Sequence, residues 1–216
     1  MDSKRVKDIM EWVICILIAL LVVALIKTFV GFPTVVSGAS MDSTLQDKQR
    51  LWVSKIAIEV HKYPNRGDII TFEAPSSTYI TKAMYNPNNP VAIYNNEKES
   101  LFTKLISSIS LFNSTSFIKR VIGVPGDHIE IKNKKVYLNG EVLREDYLDA
   151  GTITEDADGC FVDVVVPDGY VYVLGDNREV SGDSRRFGCI PIDKIEGKAV
   201  FRFWPLNKIN RIKNNT

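Results

Sequence analysis

The stretch Ile129-Glu130-Ile131-Lys132-Asn133-Lys134-Lys135-Val136-Tyr137-Leu138-Asn139-Gly140-Glu141-Val142 reads as strand, turn, strand, turn, strand. Ile129-Glu130-Ile131 alternates apolar and polar side chains, and Val136-Tyr137-Leu138 is rich in residues that suit a pleated, half-buried surface. Between them Lys132 to Lys135 is wholly polar, and Asn139-Gly140 takes positive φ readily, so both junctions read as tight turns. Two turns so close together imply a small antiparallel meander. The same texture recurs in Leu51-Trp52-Val53, Asp68 to Phe72, Val162 to Val166 and Tyr170 to Leu174, which makes the chain mainly β beyond its first 32 residues.

Those first residues differ. Trp12 to Ile26 is uninterrupted apolar sequence, and Ile9 to Phe32 supplies the roughly 20 residues that a spanning helix needs if Lys27 snorkels toward an interface. Lys4, Arg5 and Lys7 precede the run, so the positive-inside rule holds the N-terminus in the cytoplasm and exports the chain beyond Phe32. A cleavable leader is the competing reading, because Ser37-Gly38-Ala39 carries small residues at the spacing of a cleavage site. The long gap from Ile26 to Ala39 favours an anchor.

The chain has 216 residues, 45% of them hydrophobic, enough for one globular unit of ordinary size. Its 27 basic and 26 acidic residues nearly cancel, which argues against nucleic acid as a partner. No CxxC or histidine cluster suggests a metal, and no cofactor is expected. Of three cysteines, Cys160 and Cys189 lie outside the apolar run and are free to pair. Residues 74–116 read as an insertion with loop-like asparagine and proline runs, then an amphipathic helix around Leu101 to Ile106. Its role is either a surface excursion packed on the barrel, or a lid or membrane-surface contact. Asn113-Ser114-Thr115 fits a glycosylation acceptor, and the basic tail from Lys208 reads as frayed.

A serine hydroxyl is a poor nucleophile until a base takes its proton, and the chain has only two histidines. That directs attention to Gly38-Ala39-Ser40-Met41 and to Lys119-Arg120. The first resembles the serine box of type I signal peptidases, the membrane-bound proteases that remove signal peptides. Three more boxes come after it in order: Arg66-Gly67-Asp68-Ile69-Ile70, then Phe117 to Asp127 around Lys119, then Gly175-Asp176-Asn177-Arg178 running on to Arg185. The resemblance implies a Ser40 nucleophile and a Lys119 general base, with Ser181 orienting the lysine, Asp183 and Arg185 bracing the site, and Asp176 paired to Arg120. It implies a transmembrane helix followed by an antiparallel β-sheet or partial-barrel catalytic domain and a small β-meander lobe. The expected division is 1–8 cytoplasmic, 9–32 anchor, 33–127 and 170–207 catalytic, 128–169 the small lobe and 208–216 the tail.

Burial is what turns a lysine into a base, lowering its pKa from near 10.4 by up to ~3–5 units. If Phe117 to Val121 is a strand, Phe117, Lys119 and Val121 share a face and Arg120 points the other way. The Ser40 backbone N–H is the natural oxyanion donor, but Gly38 offers no side-chain donor beside it. Ser43 stands where the resembling proteases usually have proline. Exported precursors are the expected partners, bound as an added strand, with Val35, Val36, Met41 and Ile118 lining pockets for small side chains. A histidine triad built on His61 or His128 with Asp68 or Asp127, a self-cleaving Ser/Lys repressor, and an inactive anchored peptide-binding module are the alternatives.

Overall fold

The chain changes from helix to sheet at Gly31. In the computed structural model, which describes residues 3–59, 63–81, 84–95, 116–156 and 159–212, an α-helix runs Ser3–Leu25 and ends in a π-type turn, Ile26–Val30. Gly31 then takes φ 155° and opens strand β1 (Gly31–Val35). Only glycine fits there, because a Cβ would stand 2.1 Å from the Val53 carbonyl oxygen on the neighbouring strand. Gly31 and Phe32, expected at the end of the anchor, therefore belong to the sheet. The helical stretch Lys7–Val30 has 24 residues and is long and apolar enough to cross a bilayer. At ~1.5 Å per residue it reaches about 36 Å against a hydrocarbon core of ~30 Å.

Eleven further strands complete the fold. They are β2 (Arg50–Ser54), β3 (Ile69–Glu73), β4 (Ser116–Gly123), β5 (His128–Lys132), β6 (Lys135–Leu138), β7 (Glu141–Val142), β8 (Asp163–Val165), β9 (Tyr170–Leu174), β10 (Ile190–Pro191), β11 (Ile195–Trp204) and β12 (Asn210–Arg211). A large sheet has the order β1-β2-β11-β3-β4-β9-β10, with β12 on β11, and a small one β7-β6-β5-β8. Pairings between these strands are antiparallel throughout. The meander forms as its turns dictate: Asn133, Lys134, Asn139 and Gly140 all have positive φ, between 51° and 88°.

Three apolar clusters hold these layers. Ile129, Val136 and Val164 of the small sheet pack with Ile122, Tyr172 and Leu174 of the large one. On β3, Ile70 and Phe72 join Val121, Val173 and Phe187 on one face, while Ile69 joins Val36, Met41, Leu45 and Leu51 on the other. A strand buried on both faces loses simple alternation, and β3 has four consecutive buried residues. The ten-residue β11 escaped the sequence reading because two register shifts against β2 and one against β3 break its period. The tail also departs from expectation: Asn210 and Arg211 pair with β11, and Ile212 is only 9% exposed.

The described part of the insertion packs on the large sheet. Ala92 N–H donates to Cys189 O at 2.9 Å, and the Tyr94 hydroxyl donates to Glu73 O at 2.8 Å. The helix expected around Leu101 to Ile106, Asn113 and His61 lie outside the described residues. Cys160 and Cys189 are free thiols, so the bridge that the sequence left open is not made.

Gly31→Ala is expected to destabilise the protein by at least about 1–3 kcal/mol, since it adds both the positive-φ penalty and a clash at Val53. A thermal melt of the full chain in detergent checks this, and an unchanged midpoint would contradict the account of the junction.

Candidate active site

Ser40 sits in a short loop fastened at both ends. Val36 N–H donates to Gln49 O and Lys48 N–H to Val36 O, each at 2.9 Å, and Gly38 N–H donates to Asp47 Oδ1 at 3.0 Å. Val36 and Met41, both almost fully buried, plug into the core beside Leu45. These two were expected to line substrate pockets, but extended backbone sends Val36 to the face opposite Val35, and Met41 turns inward after the serine. Val35 is 58% exposed and lines the cleft. Ser43 follows a cis peptide bond.

Lys119 reaches Ser40 from β4, where it lies opposite Ile70 of β3. Phe117 and Val121 pack in one apolar cluster, and the Lys119 ammonium stands 5.4 Å from the Phe117 ring centroid, so the strand face is the one alternation predicts. Lys119 is 4% exposed, with Nζ 2.7 Å from Ser40 Oγ. Burial lowers its pKa from 10.5 to about 8; Asp183 and Asp176 act against that shift, and Arg185 assists it. Both side chains open onto a cleft of about 390 Å³, walled by Thr34 and Val35 of β1, Phe117 and Ile118 of β4, and Thr78 and Tyr79 of the insertion. Alternation pointed to Phe117, whereas no pattern in the loop-like insertion marked Thr78 or Tyr79.

The last box surrounds this pair from behind. Asn177 N–H donates to Ser40 O at 3.1 Å. Gly175 admits no side chain, since a Cβ would lie 2.2 Å from Ser181 Oγ and 2.4 Å from Ser40 O. Asp176 takes a two-point ion pair from Arg120 at 2.8 and 2.6 Å, and Arg120 also donates to Gly67 O. Asp183 holds Arg185 at 2.8 and 2.9 Å and accepts the Gly175 N–H at 3.1 Å. All four charged groups are at most 3% exposed, so removing one partner would cost about 3–5 kcal/mol rather than the fraction typical of a surface pair. Ser181 Oγ is buried and has no hydrogen-bond partner among the described residues.

His128 is elsewhere: its Nε2 lies 2.7 Å from Asp163 in the small sheet, and Arg66 and Lys198 occupy Asp127 and Asp68. The family model described as signal peptidase, peptidase S26, matches residues 9–204. The chain belongs to that family. Signal peptidase IB of Staphylococcus aureus (strain COL) is 33% identical over 215 residues, 94% of this chain and 93% of that protein. Signal peptidase I P of Bacillus subtilis subsp. natto is 33% identical over 216 residues, 97% and 96% of the two chains. A solved signal peptidase I from Enterococcus faecalis V583 shares 28% identity, with a TM-score of 0.38, over 62% of this chain and 95% of that one. This signal peptidase is thus an enzyme, a serine endopeptidase.

The lysine's lowered pKa has a consequence for stability. A cation disfavoured by folding weakens the fold most below about pH 8, and the penalty fades as pH rises toward 10.5. It amounts to about 3 kcal/mol at pH 7. Lys119→Met protein should therefore melt above the parent at pH 7, and the gap should narrow between pH 8 and 10.5. A gap that widened over that interval would contradict the assignment.

Proposed function

We propose that the protein removes signal peptides from exported precursors by a Ser40 nucleophile and a Lys119 general base, cutting after small residues outside the cytoplasmic membrane. The 2.7 Å separation of Lys119 Nζ and Ser40 Oγ at the floor of an open cleft carries this reading. The neutral amine takes the Oγ proton as the oxygen attacks the scissile carbonyl, then passes it to the departing amine. Oxyanion charge falls to the Ser40 N–H, which donates to no acceptor among the described residues. Ser181 offers a buried hydroxyl close to Ser40 that has no partner among the described residues, suited to following Lys119 through its change of charge.

Strand pairing supports the substrate's path. Among the described residues β1 pairs only with β2, and residues 117–119 of β4 pair only with β3, so both turn a free edge toward the cleft. An extended peptide laid between them gains main-chain hydrogen bonds without a sequence requirement. Val35 and Ile118 border its alternate side chains. The helix ends directly in β1, which keeps the cleft near the membrane that delivers the precursor, and Lys4, Arg5 and Lys7 orient the N-terminus toward the cytoplasm.

Ser40→Ala and Lys119→Met are each expected to reduce processing of a precursor whose leader ends Ala-x-Ala by at least about 10⁴-fold. In the parent, kcat/KM should climb about tenfold per pH unit and level off near pH 8. Processing that persists in Lys119→Met protein would refute the dyad, and peptide binding without turnover in the parent would favour the binding module.

A further inference from the structure

We infer that Glu145 and Tyr147, on the loop that leaves the small sheet, are positioning residues for cleavage: they fix the two arginines that hold the backbone behind Ser40. The inference rests on the Ser40–Lys119 reading and adds two residues outside the four boxes. Tyr147 lies with its ring 3.9 Å from the Arg120 guanidinium carbon, and its hydroxyl donates to Glu145 Oε1 at 2.6 Å. Burial first, and then the Glu145 carboxylate, push the Tyr147 pKa well above its usual range, which keeps that hydroxyl protonated as a donor. Glu145 in turn accepts both terminal nitrogens of Arg178, at 3.1 and 2.5 Å.

The two arginines hold neighbouring residues of one three-residue run, Gly175 to Asn177. Arg178 donates through Nε to Gly175 O at 3.0 Å, and Arg120 grips Asp176 at two points. Asn177 completes the run by donating to Ser40 O. Gly175 is so tightly enclosed by Ser40 O and Ser181 Oγ that a shift of this backbone is transmitted directly to the nucleophile. Arg120 also comes directly after Lys119 in the chain, so the Tyr147 ring bears on the base's strand as well. A guanidinium stacked on an aromatic face and held by a bidentate carboxylate has little freedom left, which is what a site needs when an error of about 1 Å lowers the rate about 100-fold.

The test compares kcat and KM for full-length parent, Tyr147→Leu, Tyr147→Phe and Glu145→Gln on the Ala-x-Ala precursor in detergent. Val136→Ala serves as a control, since it weakens the core of the same lobe. We expect Tyr147→Leu and Glu145→Gln to lose roughly 10- to 100-fold in kcat, with KM changed by less than about threefold. Tyr147→Phe, which keeps the ring over Arg120, should recover a large part of that loss. Folded Tyr147→Leu and Glu145→Gln proteins with parental kcat would overturn the inference, as would an equal kcat loss in Val136→Ala at a matched drop in melting temperature. Neither result would bear on the dyad, which stands or falls with turnover in Lys119→Met protein.

Discussion

The proposed dyad depends on burying one lysine amine without giving it a carboxylate. Arg120, Arg178 and Arg185 are also buried, and each has an acidic partner in Asp176, Glu145 and Asp183. Lys119 forms no such pair among the described residues, and its ammonium lies against the Ser40 hydroxyl and the Phe117 ring. A buried cation with no directly bonded counter-charge is costly, and proton loss relieves the cost, so burial outweighs the pull of Asp183 and Asp176 and brings the pKa to about 8. The arginine pairs matter here because they hold Asp176 and Asp183 in bonds of their own. An acidic group released toward Lys119 would restore its charge.

The same constraint accounts for the architecture around the site. Lys119 is kept dry by the apolar groups of its face, Phe117 and Val121 on its own strand with Phe72 and Phe187 beside them. Ser40 lies on a loop that opens onto the cleft, and that loop is kept in place by Val36 and Met41 in the core. In the proposed mechanism rigid strands supply the base and an anchored loop the nucleophile, and the stretches of β1 and β4 that carry no further strand among the described residues leave room for the substrate between them.

Much of this was legible in the sequence, but unevenly. Local signals were dependable where one cause acts alone: Asn139-Gly140 made its turn, and the Phe117–Lys119–Val121 alternation gave the face of β4. They failed where tertiary contacts decide. Alternation sets Val35 and Val36 on opposite faces, but which of the two is buried depends on Met41, Leu45 and Leu51, which cover Val36. The bulges of β11 and the docking of Ile212 depend on partners more than ten residues away. Ordered boxes singled out Ser40, Lys119 and the acidic and basic residues of the last segment, which the fold brings together, yet Glu145 and Tyr147 lay in a stretch with no motif and emerge only from the bonds they make.

The most direct measurement is an NMR titration of the Lys119 side chain in folded Ser40→Ala protein. A midpoint near pH 8 is the predicted result. A midpoint at the ordinary lysine value near 10.4 would mean that the amine is solvated and charged at working pH, and would contradict its role as the base.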